Sequence, residues 1–463
     1  RATNIALHVF NAWLIFGLLM RLMPEVHRAY WALVISCLWL CHPLQTEAVI
    51  YVTQRTELAA SLCLLLTVRF ALRFMACTEP DRGRWLLLAT LTCALGTGCK
   101  EILVAAPFCV LALDRCYFSE RWRGCLERHG RLYLGLFIAL LPLFLQVLTQ
   151  PRTWTAGLNL GVSAWQALAT SAHAIVLYLR LSAWPSSLSV TYNWSFTDAL
   201  QRHALDVIAV ALLGVVTLWA LHMRRRSAAL LVGFFAVLAP STSIIPIISE
   251  VAAERRMYLA LLAPIALCVL GVARVTPRVE RFARVLCLPL VVVAAGAAYV
   301  RALDYRSPEA LFGAALRVAP DNPQAMWGLA LALAERGQFD AASALYERMA
   351  AAPYPYVGPA SWGTRGLMAA AQLYALHGEA ARAQHTRERA LAHDPQSALG
   401  QLQTAAQQLA TGHEAQALLV LEKLQTQPFL LERVHRELAK LYARRGDVER
   451  ARMQLMAAER ARR

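Results

Sequence analysis

Four short stretches gather the residue types that proton transfer and phosphate binding need. HPLQTEAVIYVTQRTE at 42–57 carries His42, Glu47, Arg55 and Glu57, and GTGCKE at 96–101 carries Lys100 and Glu101. YLRLSAWPSSLSVTYNW at 178–194 carries Tyr178 and Arg180, and SEVAAERRMYL at 249–259 carries Glu250, Glu254, Arg255, Arg256 and Tyr258. A positioned carboxylate can take the proton of a hydroxyl, and arginine and lysine hold phosphate, arginine bidentately. All four stretches lie at the edges of apolar runs, where an unpaired charge costs roughly 2.5–3.5 kcal/mol on insertion scales. Simpler roles stand beside the chemical ones. Glu47 or Glu57 could pair with Arg55 to neutralise a membrane-edge helix, and Arg256 could snorkel toward headgroups. GTGCKE suits a phosphate-holding turn but lacks P-loop spacing.

The elements that must position these residues are largely membrane helices. The chain has 463 residues, 58% apolar and 16% charged, with a mean hydropathy of +0.42, far from the balance of a soluble domain. The apolar excess stops near residue 300. The net charge of +16 comes almost wholly from arginine, Lys100, Lys423 and Lys440 being the only lysines, and this compositional bias does not indicate nucleic-acid binding. None of the eleven cysteines forms a CxxC pair or a metal-ligand spacing, so they read as small buried hydrophobes. The chain opens on Arg1 without a signal-peptide pattern, and the expectation is a fragment whose start is missing.

Apolar stretches fall at about 5–20, 29–41, 58–76, 85–97, 102–113, 132–149, 161–183, 204–222, 228–248, 257–273 and 285–300. Five arginine-bearing loops, containing Arg21, Arg82, Arg115, Arg224 and Arg274, then share one side of the membrane only if 161–183 does not cross it. That segment is therefore expected to be interfacial or re-entrant, leaving about ten spans in a domain at 1–303. The four charged stretches and everything after residue 300 then lie outside the cytoplasm.

From 304 to 463 the sequence reads as about four tetratricopeptide repeats. Gly378, Gly412 and Gly446 recur every 34 residues, and Gly337 precedes Gly378 by 41, one period plus an insertion around PYPYVGP. Alanine stands seven positions before each glycine (Ala330, Ala371, Ala405, Ala439) and five after it (Ala342, Ala383, Ala417, Ala451), where paired helices must approach closely. Such arrays present a concave face to a peptide or protein, or act as a spacer.

HPxxTEAVxxVxxRxEL at 42–58, KE at 100–101, YLRLxxWPxxLSVxY at 178–192 and AERRMYL at 253–259, followed by a repeat tail, resemble the transmembrane and tetratricopeptide repeat proteins. The resemblance implies an all-α fold: a GT-C-like transmembrane helix bundle followed by an extracytoplasmic tetratricopeptide solenoid. It also implies an enzyme that passes a sugar, mannose or another hexose, from a polyprenyl-phosphate donor to Ser or Thr of a secreted or envelope protein bound by the repeats. The expected setting is a bacterial inner membrane or the endoplasmic reticulum, with the repeats in the periplasm or lumen. On that reading Glu47, Glu57, Glu101 and Glu254 are the candidate catalytic carboxylates. Arg55, Lys100, Arg180 and Arg255 would bind the donor phosphate, and His42, Tyr178 and Tyr258 would line the site. No metal ligand set and no obligatory cofactor are expected, the leaving monophosphate being met by cations. Two departures from the family pattern are Gln45, where histidine is common, and Thr191, where aspartate is common. Key acidic residues of the family lie in a first outer loop expected before residue 1, and a chain without that loop would be inactive alone. Other readings of the same features are a membrane-anchored repeat scaffold and a lipid-linked saccharide ligase.

Overall fold

A computed structural model describes residues 1–23, 27–77, 80–149, 162–192, 194, 199–242, 250–274, 277–351, 361–425 and 430–462. Every element among them is helical, apart from one isolated antiparallel bridge between Tyr192 and Ala252. The described residues 1–192 and 199–311 form one compact unit and 312–462 another.

Five helices of the first unit are long and apolar enough to cross a membrane: Ala2–Leu22, Val52–Ala76, Trp122–Gln146, Ala204–His222 and Phe282–Asp304. Two bent pairs raise that to seven: Arg28–Cys41 with Pro43–Ile50, bent by 52°, and Glu254–Ala260 with Leu262–Val272, bent by 51°. Leu205, Leu212 and Leu218 on one helix and Val285, Leu288 and Val293 on another are exposed, as lipid-facing surfaces are. Three segments counted toward ten spans fold as Arg82–Thr97, Ala106–Tyr117 and Ser227–Leu238. None reaches the ~20 residues an upright crossing needs. The segment at 161–183 differs from a re-entrant hairpin. It is a continuous helix, Ala164–Ala183, begun by a capping box between Ser163 and Gln166.

Polar residues inside this unit satisfy the broken helices. On the first helix Asn4, His8 and Asn11 share a face and are buried. Asn4 Nδ2 donates to the Val49 carbonyl at 3.2 Å and Asn11 Nδ2 to the Leu58 carbonyl at 3.1 Å. Trp39 Nε1 donates to the Tyr258 carbonyl at 2.8 Å, tying the two bends together.

In the second unit the helix pairs run Pro323–Glu335 with Phe339–Arg348, Trp362–Leu376 with Ala380–His393, Ala398–Ala410 with Glu414–Leu424, and Leu431–Arg444 with Val448–Arg462. Gly337, Gly378, Gly412 and Gly446 sit in the turns with φ between +76° and +87°, a conformation that side chains resist. All eight recurring alanines are buried. The PYPYVGP insertion lies outside the described residues.

Candidate active site

The four charged stretches converge within the first unit. At Cys41 the helix must stop, because Pro43 has no N–H to continue it. His42 Nδ1 accepts from the Leu44 N–H at 3.2 Å, and Thr46 Oγ1 donates to the Pro43 carbonyl at 2.5 Å. The short helix Thr46–Ile50 that follows carries Glu47 into the interior, 1% exposed. Beside it, Tyr178 Oη accepts from the Ala253 N–H at 2.9 Å and holds the backbone just before Glu254 and Arg255. Arg255 Nη1 then reaches Glu47 Oε1 at 2.5 Å, the Arg255 N–H donates to Glu47 Oε2 at 3.0 Å, and Arg255 Nη2 pairs with Glu250.

A second ion pair flanks the first. Glu57 opens the Arg55–Ala76 helix and meets Lys100 Nζ at 2.5 Å. Lys100 gets there because the Arg82–Thr97 helix packs tightly at its end. A Cβ on Gly96 would stand 2.6 Å from Leu103 Cγ and 2.7 Å from Cys63 Cβ, so only glycine fits. The Cys99 and Lys100 N–H groups both return to the Gly96 carbonyl, at 2.9 and 3.1 Å, and close the turn.

Between these pairs lies a polar cavity of about 90 Å³, its charged lining made by Glu57, Lys100, Glu101, Glu250, Arg255 and Arg256. Val237 lines it too, and also lines an apolar cleft of about 250 Å³ among Leu18, Leu64 and Leu259. Three cations and three carboxylates around one small cavity can hold an oxyanion and accept a proton side by side. A tetratricopeptide-repeat family model matches residues 299–353. The chain is also similar to the protein O-mannosyl-transferase Tmtc2 of Drosophila melanogaster, 34% identical over 200 residues that cover 40% of this chain and 20% of the relative. The chain thus carries a tetratricopeptide repeat and is similar over part of its length to a TMTC protein. It spans about a fifth of the length of the relative it matches, 20%.

In this chain Glu47 and Glu57 pair across motifs, while Glu250 pairs with Arg255 of its own stretch. Glu47 and Glu57 take Arg255 and Lys100 as partners, while Arg55 Nε donates to Asn4 Oδ1 at 3.4 Å. Arg256 does not snorkel. It is buried, and its guanidinium donates to the carbonyls of Glu250 at 2.6 Å and Val251 at 3.2 Å. Glu57, Glu101, Lys100 and Arg255 therefore meet at the cavity. Glu47 sits outside the cavity lining, and its buried charge is met by the Arg255 guanidinium. Arg180 lies apart, exposed on the Ala164–Ala183 helix.

Glu254 is also buried away from the cavity. Its Oε1 accepts from the Ser189 N–H at 2.5 Å and from Tyr192 Oη at 2.9 Å, and its Oε2 faces Arg301 Nη2 at 3.6 Å. Burial and then the Glu254 carboxylate push the Tyr192 hydroxyl well above the ordinary phenol range, so it remains a donor. Glu254 thus anchors the 184–192 segment.

His42, Tyr178 and Tyr258 act as buried supports. His42 Nε2 lies 3.2 Å from the Ser182 carbonyl, and Tyr258 Oη takes Asn11 Nδ2 at 3.0 Å and His8 Nδ1 at 2.9 Å. Of the two family departures, Gln45 Nε2 donates to the Tyr258 carbonyl at 3.2 Å, and Thr191 is buried with its carbonyl accepting from Ser189 Oγ at 2.8 Å. Arg301 escapes a reading of the sequence because it sits at a helix end where an arginine ordinarily reaches for water. The i, i+4, i+7 spacing of Asn4, His8 and Asn11 is a readable signal of a polar interior stripe. Asn193-Trp194-Ser195 fits an N-glycan acceptor pattern, and its Asn193 and Ser195 lie outside the described residues.

Proposed function

We propose that this chain forms part of a membrane glycosyltransferase that moves a hexose, mannose in the simplest case, from a polyprenyl-phosphate carrier to a Ser or Thr hydroxyl outside the cytoplasm. The repeats bind the acceptor protein. The observation that carries the reading is the cavity lined together by Lys100, Arg255, Glu57 and Glu101, in a chain similar to a protein O-mannosyl-transferase. The adjoining apolar cleft, sharing Val237 with the cavity, suits an isoprenoid chain whose phosphate enters the polar side.

In the resting pair Glu57 and Lys100 neutralise each other. A donor phosphate competes with Glu57 for the ammonium, and Arg255 offers a second positive face. Released from Lys100, Glu57 takes the proton of the acceptor hydroxyl as its oxygen attacks the anomeric carbon. The bond from that carbon to the phosphate oxygen breaks, the electron pair leaves with polyprenyl phosphate, and the configuration inverts. Lys100 and Arg255 stabilise the departing charge, which is why no divalent ion is required on this reading.

The test uses protein expressed from its complete gene, reconstituted with polyprenyl-phosphate-linked mannose and a Ser/Thr-rich secreted acceptor. Glu57→Gln is expected to slow transfer by about 10²–10⁴-fold while leaving acceptor pull-down through the repeats intact. Normal transfer by both Glu57→Gln and Lys100→Met overturns the site. Unchanged acceptor glycosylation in cells lacking the gene, with partner proteins mislocalised instead, favours the scaffold.

A further inference from the structure

We propose that His173, His203 and Asp206 form a binding site for a divalent transition-metal ion with the preferences of Zn²⁺. The three come from different places in the chain. His173 lies midway along the Ala164–Ala183 helix, His203 is the N-cap of the Ala204–His222 helix, and Asp206 lies in that helix's first turn. Both imidazoles direct Nδ1 at the same carboxylate oxygen: His173 Nδ1 is 2.7 Å and His203 Nδ1 3.6 Å from Asp206 Oδ2. The two rings stack with centroids 4.0 Å apart and planes inclined by 21°.

That arrangement exceeds what joining two helices requires, since one His–Asp hydrogen bond would suffice. Bonds of ~2.0–2.1 Å to a tetrahedral ion place neighbouring ligand atoms roughly 3.3 Å apart. The ligand atoms here all lie within 4.8 Å of one another. The 2.7 Å separation must open by about 0.6 Å and the 3.6 Å one close by about 0.3 Å to match a tetrahedral ion, within reach of side-chain rotation. Two imidazoles and one carboxylate suit zinc, cobalt or nickel and not magnesium or calcium. The side chains are 32%, 16% and 23% exposed, so a fourth ligand can come from solvent.

The site has a structural consequence for the cavity region. His173 and His203 bracket the 184–192 segment, whose Ser189 N–H and Tyr192 hydroxyl hold Glu254. An ion there ties the helix before that segment to the helix after it, and none of its three ligands lines the polar cavity. The ion is therefore structural, distinct from the transfer chemistry proposed above, and its test does not depend on that chemistry.

The purified full-length chain is titrated with Co²⁺. One equivalent is expected to bind with a visible ligand-field band that Zn²⁺ abolishes, and with a rise in Tm. His203→Gln and Asp206→Asn should each weaken binding by about 100-fold or more and remove the Tm rise. A second readout needs no variant: one equivalent of Zn²⁺ should protect His173 and His203 from diethyl pyrocarbonate, mapped by mass spectrometry, while exposed His385 and His413 stay reactive. Failure of the wild type to bind one equivalent, or unprotected His173 and His203, overturns the site and leaves a plain hydrogen-bonded pin. So does Co²⁺ binding unchanged in both variants.

Discussion

Arg255 joins two carboxylates that are far apart in sequence and unequally buried. Its Nη1 lies 2.5 Å from Glu47 Oε1 and its Nη2 pairs with Glu250, the Glu47 side chain being 1% exposed and that of Glu250 43%. Removing the guanidinium would strand Glu47 as a lone buried charge. Arg255→Ala is therefore expected to destabilise the first unit by about 3–5 kcal/mol, read as a lowered melting temperature in detergent. Glu47→Gln on that background removes the stranded charge and should restore part of the loss. A double variant as unstable as Arg255→Ala alone would show that the pair is not coupled.

On the proposed transfer mechanism, the Glu57–Lys100 pair separates binding from chemistry. Lys100 is 24% exposed at its side chain and Glu57 3%, so Lys100 is the member that an entering anion meets. Lys100→Met should raise the donor KM and, because Lys100 also meets the departing charge, lower kcat, though less than loss of the base does. Glu57→Gln should lower kcat by about 10²–10⁴-fold, with donor KM little changed. The split is measured in steady-state transfer assays with donor varied at saturating acceptor, and equal effects of both variants on kcat would remove the base role from Glu57.

Much of this organisation was legible in the sequence, and the exceptions have physical causes. The repeat glycines at 34-residue spacing mark turns because positive φ is a local demand that local sequence records. The placement of four charged stretches at apolar-run edges was legible as well. Which charge meets which was not legible: Arg55 is the nearest cation to Glu47 and Glu57 along the chain, yet the partners are Arg255 and Lys100. Pairing is decided by the two helix bends and by the close approach at Gly96, both tertiary properties. Arg301 and the partners of the buried Asn4–His8–Asn11 stripe were hidden for the same reason, since their roles rest on groups freed by bends elsewhere.

Asp114 gives a prediction at a site remote from the cavity. It is fully buried and accepts from Ser119 Oγ at 2.6 Å, from Tyr133 Oη at 2.7 Å, and pairs with His129 Nδ1 at 2.8 Å. Asp114→Ala orphans all three partners at once. The loss should reach about 3–5 kcal/mol, whereas Asp114→Asn, which keeps an acceptor oxygen, should cost less. Thermal unfolding of the two variants in detergent checks the order, and equal losses would mean that the charge carries the stabilisation and the retained acceptor oxygen none of it.

The repeats should weaken in acid in a way traceable to Glu347. Burial alone would raise its pKa, but hydrogen bonds from Tyr374 Oη at 2.7 Å and Arg389 Nη1 at 2.8 Å outweigh this and hold the carboxyl below its ordinary value. A carboxyl depressed in the folded state binds its proton more readily once unfolded. The stabilisation is thus complete above the ordinary carboxylate range and is lost as pH falls through the depressed value. Glu347→Gln should flatten this part of the acid melting profile followed by circular dichroism, and an unaltered profile would assign the acid sensitivity elsewhere.

Two glycines of the repeats should respond to alanine for opposite reasons. Gly378 has φ +82° and open space on its side-chain face, with nothing within 4 Å of where a Cβ would lie. Its alanine variant carries only backbone strain, about 1–2 kcal/mol. Gly366 is helical and unstrained, but a Cβ there would collide with the Tyr346 carbonyl oxygen and stand 2.9 Å from Met349 Cβ. Backbone cannot rotate away as a side chain can, so the Trp362–Leu376 helix must move off its neighbour, and the buried cluster of Met326, Tyr346, Met349 and Tyr374 opens with it. Overpacking of this kind costs about 1–3 kcal/mol or more, and it disrupts a contact between helix pairs where Gly378→Ala disturbs only a turn. Gly366→Ala should therefore lower both the melting temperature and the cooperativity of repeat unfolding, while Gly378→Ala lowers the temperature alone. The reverse pattern in calorimetry would place the weak link of the array in its turns.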